Sequence, residues 1–283
     1  MPAPLFVFVQ MDFPWKIGPV DGRYLLRARA GGEPERVLVL QTLSEGAATA
    51  SRITLVDPVS LPAEHQARAW LDDVERDSRS AIEEALALVN RVLYLHRIAE
   101  ADPYAHEVSA TQALAIRAGW GSGQELASGR FTHADELAAG QRAGQRRGLL
   151  RRGTRRERTS ALAGQERFAS LLGAHVPTLI SEELALRARL DLDQGRAALA
   201  ALGVSSALAA ALAELRREHR EDLALRIDEL EQLSAGVDAQ AAAVLSGGAG
   251  AADADALEHA LQRLEAALRA RAANAAAISR RTE

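Results

Sequence analysis

Leu257, Leu261, Leu264 and Leu268 stand at heptad spacing near the end of the chain. An α-helix turns once in about 3.6 residues, so this spacing puts four isobutyl groups on one face. Upstream, Leu208, Leu212, Leu215, Leu223, Ile227, Leu230 and Val237 continue the same three-and-four rhythm. The pattern predicts a long helix over about 205–245, a flexible turn at Ser246-Gly-Gly-Ala-Gly-Ala-Ala-Asp253 and a leucine-striped helix after it. Helices joined by a short loop pack antiparallel, so the expected product is a helical hairpin. The same stripes offer a coiled coil between two chains as the alternative; folding back within one chain is preferred because the loop is short. Upstream again, Ser181 reads as the cap of a helix with Glu182 and Glu183 in its first turn, where carboxylates complement the helix dipole. That helix ends at Gln194-Gly195. The string from Leu186 through Arg196 resembles the turn of a tetratricopeptide-type helical hairpin, but it occurs once and no period of about 34 residues repeats it.

The first sixty residues carry a different pattern. Candidate strands are Leu5–Gln10, Arg23–Arg29, Arg36–Leu43 and Arg52–Val56, separated by Asp21-Gly22 and Gly31-Gly32-Glu33-Pro34. Leu5-Phe6-Val7-Phe8-Val9 is apolar without alternation, as suits a central strand covered on both faces. A four-stranded sheet covered on one face by a helix is the simplest solution. The covering helix is expected at once, with Ser60 as a plausible cap, because Ala63–Glu100 contains neither glycine nor proline. Leu71, Val74, Ala81, Ala85, Leu88, Val92 and Leu95 form one stripe along it, and Ile82, Leu86, Val89 and Leu93 form a second beside the first. Asp102-Pro103 ends the run.

Between 103 and 140, Ser109-Ala-Thr-Gln112, Ser122-Gly-Gln-Glu125 and Thr132-His-Ala-Asp135 resemble capping boxes, the last with aspartate in place of glutamate. They predict short helices joined by Gly119-Trp-Gly-Ser-Gly123 and Gly129-Arg130, with a strand at Ala113–Ala118 as the alternative. The next stretch, Ala139–Arg158, is rich in glycine and holds eight arginines, and it reads as a linker. The fold class expected is therefore α+β: a small antiparallel β-sheet with a long helix at the N-terminus, followed by a mainly α-helical C-terminal domain with an antiparallel helical hairpin. The boundaries are 1–138, 139–158 and 159–283.

The chain has no cysteine, which removes disulfides, thiolate metal sites and a cysteine nucleophile together and fits a reducing, cytoplasmic setting. The leading apolar run is five residues with no basic start, which reads as a strand and not a signal peptide. No stretch is read as reaching the ~20 apolar residues of a membrane-spanning helix, so no membrane insertion is expected. Lys16 is the only lysine, and arginine and alanine dominate, as GC-rich bacterial coding produces.

The search for chemistry begins at Gly119, Gly121 and Gly123. Glycines let backbone amides approach a phosphate, usually at a helix N-terminus. The dinucleotide fingerprint fails because Gln124 and Glu125 fall where its third glycine belongs, and a P-loop fails for want of lysine. A glycine hinge with Trp120 packed in the core is the blander reading. The seven histidines show no i,i+4 pair, so a helical zinc face is not encoded; His96, His106 and His133 remain as groups that folding might bring together. No Gly-x-Ser-x-Gly elbow exists, and Asp191 and Asp193 point to different sides of a helix. Phe13-Pro14-Trp15 reads as an interface anchor or as a plug at the end of the sheet. No catalytic residue, cofactor or metal ligand is assigned.

Arg142, Arg146, Arg147, Arg151, Arg152, Arg155, Arg156 and Arg158 face only Glu157 nearby. Such a run attracts phosphate backbones in a salt-dependent manner, yet no aromatic interleaves it to stack bases. A solvated docking segment for acidic partners is the preferred reading. The function expected is a non-catalytic structural or protein-interaction protein, a scaffold or adaptor, with a protein partner or a homodimer. The alternatives are a nucleic-acid- or anion-binding protein acting through those arginines, and an enzyme or sensor holding a phosphorylated ligand at Gly119–Gly123.

Overall fold

The computed structural model describes residues 4–45, 48–129, 131–139, 155–248, 250 and 252–282. The chain divides into two compact units, Met1–Arg97 with Ala105–His175, and Ile98–Tyr104 with Val176–Glu283.

The first unit is built on a six-stranded antiparallel sheet. Its strands are β1 (Leu5–Phe13), β2 (Gly22–Leu26), β3 (Arg36–Glu45), β4 (Ala48–Val56), β5 (Ala115–Ser122) and β6 (His133–Ala139). They lie in the order β2-β3-β4-β1-β5-β6, so the apolar β1 runs between β4 and β5. Phe8 points to one face and Val7, Met11 and Phe13 to the other, and all four are buried, as a strand covered on both faces requires. On one face α1 (Glu64–Arg76) lays Ala67 and Leu71 against Val7, Ala118 and Trp120. On the other, Leu126 of α3 (Gly123–Ser128) and Phe131 pack on Phe8, Val39 and Val56.

These elements correct the expected fold class in two respects. The sheet has six strands, not four, because β5 and β6 occupy the stretch read as short helices. There is also no long helix at the N-terminus. The first helix starts at Glu64, and the run read as one helix is two, α1 and α2 (Ser78–Glu100). Asp77 is the reason. Its backbone leaves helical geometry at φ −131°, ψ 59°, and its carboxylate accepts from the Ser80 amide at 3.2 Å. A short acidic side chain competes for backbone donors and so ends one helix and opens the next. Ser60 does not cap α1; Ala63 holds that position without a side-chain bond.

The capping boxes divide three ways. Ser109-to-Gln112 yields one turn of 3-10 helix, Ala110–Gln112. Ser122-to-Glu125 opens the six-residue α3. Thr132 opens no helix; its hydroxyl donates to Glu125 Oε1 at 2.9 Å and β6 follows. After residue 139, α4 (Arg155–Leu172) returns to the sheet, where Arg27 donates its amide to the Leu172 carbonyl and Phe168 meets Tyr24 edge-on.

The second unit holds α5 (Ile180–Asp193), α6 (Ala197–Arg217), α7 (Ala224–Leu245) and α8 (Ala254–Thr282). Ser181 lies inside α5 and not at its cap, donating to Glu214 Oε2 at 2.6 Å. The run expected as one helix from 205 to 245 breaks at His219, whose φ is 50°, and resumes after a 3-10 turn, Glu221–Leu223. Gln240 accepts from the Asp253 amide and Glu229 from Arg263, so α7 and α8 run antiparallel. Leu257, Leu261 and Leu264 are fully buried in the core with Leu208, Leu215, Leu223 and Leu230. By length and composition α6 is apolar enough to cross a membrane, contrary to the expectation from sequence. Ala200, Ala201, Val204, Ala207, Leu208 and Leu215 on it are buried within this unit.

Candidate functional site

Gly119 and Gly121 are strand residues, not a loop. Within β5, Gly119 faces Phe8 of β1 and Ala134 of β6, so its backbone serves the sheet ladder. A Cβ there would stand 2.1 Å from the His133 carbonyl oxygen and 2.8 Å from the Ala134 Cα. Glycine is demanded by the close approach of β6, and a ligand has no part in it. Gly123 begins α3, and a Cβ on it would meet nothing within 4 Å. Gly119→Ala is therefore expected to cost about 1–3 kcal/mol by overpacking, whereas Gly123→Ala stays within about 0.5 kcal/mol. Urea titration of both variants checks the contrast.

Two of the amides at the start of α3 are already engaged. Glu125 Oε2 accepts from the Ser122 amide at 2.8 Å, and Ser122 Oγ accepts from the Glu125 amide at 3.4 Å. Glu125 Oε1 accepts from Thr132. Hydrogen bonding from the Ser122 amide, against some desolvation, holds the Glu125 carboxyl below its ordinary pKa. The group stays anionic, and a carboxylate at this point repels a second anion. Gly129, at φ 69°, ends α3; its Cβ would meet Gln41 Oε1 at 2.3 Å.

The predicted arginines are placed only in part. Arg142, Arg146, Arg147, Arg151 and Arg152 lie outside the described residues, and Arg155, Arg156 and Arg158 fall in the first turn of α4. The histidines do not converge: His133 stacks on Trp120 at 4.7 Å, and His96 meets Phe168 edge-on. Among the described residues no group of His, Asp and Glu is arranged to hold a metal ion. Asp191 bonds Arg196 and Asp193 bonds Tyr104, which explains both as helix charges. Phe13 is fully buried and touches Trp15, so it plugs the sheet.

Two features had no local sequence signal. The first is a buried ionic cluster. Arg52 of β4 donates through Nε and Nη2 to both oxygens of Asp12 at 2.8 and 2.9 Å, and through Nη1 to the Gly129 carbonyl. Arg117 of β5 donates to the same Asp12 at 2.9 Å. Asp12 is 7 % exposed. Burial alone would raise its pKa, but the two guanidinium groups hold it below the ordinary value. Beside it, Gln10 donates to Thr54 Oγ1 at 2.9 Å, both buried. Two guanidinium groups converge on one carboxylate, so the cluster ties β1, β4 and β5 together, and the Gly129 carbonyl bond pins the connection after α3.

The second is a cleft of about 110 Å³ where α1 and α2 diverge at Asp77. Val7 and Leu55 form its floor, Trp70, Val74, Ala81, Ala85 and Leu88 its walls, and Arg36, Asp57 and Glu84 its polar rim. Arg36 lies 3.1 Å from Glu84 and 3.8 Å from Asp57. An apolar floor with a few charges at the mouth is the usual form of a binding site.

No protein-family model, curated protein or solved structure matches the chain. The functional reading rests on chemistry alone.

Proposed function

We propose that this is a non-catalytic interaction protein, a scaffold or adaptor, that engages an acidic protein surface through its arginine-rich segment. The observation that carries the reading is the segregation of charge. Ala139–Arg158 holds eight of the chain's 34 basic residues and one of its 38 acidic ones, so the segment carries +7 and the remainder −11. A cationic segment on an anionic body seeks carboxylates by Coulomb attraction, while the body repels the phosphate backbone of a nucleic acid. Potentials of opposite sign set the encounter rate and the choice of partner more than the final affinity.

Light scattering at low ionic strength is expected to show a complex or oligomer that dissociates once salt shortens the Debye length from about 30 Å to about 3 Å. Replacing Arg146, Arg147, Arg151 and Arg152 by alanine is expected to abolish it. A monomer at every salt concentration that retains no partner overturns the reading. DNA or RNA binding at low salt, lost in the same variant, replaces it with the nucleic-acid one.

A further inference from the structure

We propose that the cleft between α1 and α2 binds a small uncharged molecule with an apolar body of about four or five carbons and one hydroxyl. The body lies on Val7, Val9 and Leu55, and the hydroxyl donates to Asp57 Oδ2 at the mouth. This site goes beyond the interaction reading and stands independently of it.

Two alanines make the cleft. The stripe of α2 that faces the sheet runs Ala81, Ala85, Leu88, Val92, Leu95, and it is only methyl-sized at the end next to α1. Where α1 and α2 part at Asp77, a space of about 110 Å³ is left, walled by Trp70, Val74 and Leu88. An apolar cavity on the order of 150 Å³ takes up benzene, so this one accepts a slightly smaller body. Water is poorly held there. It needs about two to four polar partners, whereas the floor is made of hydrocarbon side chains and the Val7 carbonyl is already taken by the Asp57 amide at 3.0 Å.

The mouth decides the head group. Arg36 donates through Nη2 to Glu84 Oε1 at 3.1 Å and through Nη1 to the Glu35 carbonyl at 2.8 Å. Its Nη1 also lies 3.8 Å from Asp57 Oδ2, close enough to compensate charge but too far for a hydrogen bond. A charged head gains little at such a rim. An anion meets two carboxylates, and a cation must draw them away from Arg36. Asp57 Oδ1 accepts from the Val59 amide at 2.9 Å. Asp57 Oδ2 accepts no hydrogen bond among the described residues, and it borders the cleft. A neutral O–H donor satisfies it without disturbing the ion pairs.

The test is a titration of the full-length, ¹⁵N-labelled chain with 1-butanol, followed by two-dimensional NMR. Saturable shifts are expected at the Trp70 indole and at the Ala81 and Ala85 amides, with a dissociation constant on the order of 1 mM, which is within reach of so small a ligand. Butyrate and butylammonium, with the same chain and charged heads, are each expected to bind about tenfold or more weakly. Ala81→Leu, which fills the space, is expected to weaken butanol by a similar factor. Asp57→Asn keeps an oxygen for the Val59 amide and puts a nitrogen in place of Oδ2, so it is expected to weaken butanol about fivefold without depending on repacking. Charged heads that bind as well as the alcohol, or an Asp57→Asn variant that binds like wild type, overturn the hydroxyl assignment. Shifts that never saturate, that fall on other residues or that survive Ala81→Leu overturn the site. Either failure leaves the interaction reading to be judged separately by light scattering.

Discussion

Asp12→Ala is expected to destabilise the first unit by about 3–5 kcal/mol, the usual cost of removing one partner from a buried ion pair. Among the described residues Arg52 then keeps the Gly129 carbonyl, and Arg117 keeps Glu136, at 3.9 Å. Two guanidinium groups would then share a pocket without their carboxylate, which is worse than having neither. The three tryptophans, Trp15, Trp70 and Trp120, all belong to this unit, so tryptophan fluorescence during urea unfolding reads the effect. The pH dependence follows from the same geometry. The folded Asp12 carboxyl titrates below its ordinary value, near 3.9 in an unfolded chain. Its contribution is therefore complete above about pH 4 and is lost as the pH falls through the folded value. The gap between wild type and Asp12→Ala is expected to narrow in acid. A gap of constant size, or a shift below about 1 kcal/mol at neutral pH, would show that the arginines are satisfied elsewhere.

Leu261→Ala is expected to cost about 2–5 kcal/mol in the second unit, from lost transfer energy and the cavity left behind. Leu261 is fully buried among Leu208, Leu215, Leu230 and Leu264. No tryptophan lies in this unit, so far-ultraviolet dichroism, which weights helices, is the readout. A change of a few tenths of a kcal/mol would mean that the seam collapses around the missing methyl groups, and the leucine stripe would then be redundant.

The helical unit was legible because its signal is local. Leu257, Leu261, Leu264 and Leu268 lie within one helix, and their spacing alone says which face must leave water. The breaks were harder. Nothing in Ala63–Glu100 forbids helix, and the division at Asp77 turns on a carboxylate choosing the Ser80 amide over solvent. The strand β5 stands only as the alternative in the sequence, at Ala113–Ala118, for a related reason. Gly119 and Gly121 suggest a loop when read along the chain, and their purpose is visible only once His133 and Ala134 are seen pressing against them. The ionic cluster joins residues 40 and 105 positions apart, and no window along the sequence contains it. The cleft depends on the splay of two helices that the pattern had merged into one. The arginine-rich segment, by contrast, was plain from composition, since charge needs no fold to be counted.

The order of the two units along the chain has a practical consequence. The backbone crosses from one to the other at Arg97, returns at Tyr104 and crosses again after His175. No single scission can part them whole. Ending the chain at His175 strands Ile98–Tyr104 on the wrong fragment and takes the Tyr104 hydroxyl from its bond with Asp193. A single cut anywhere along the sequence therefore tears at least one folded body.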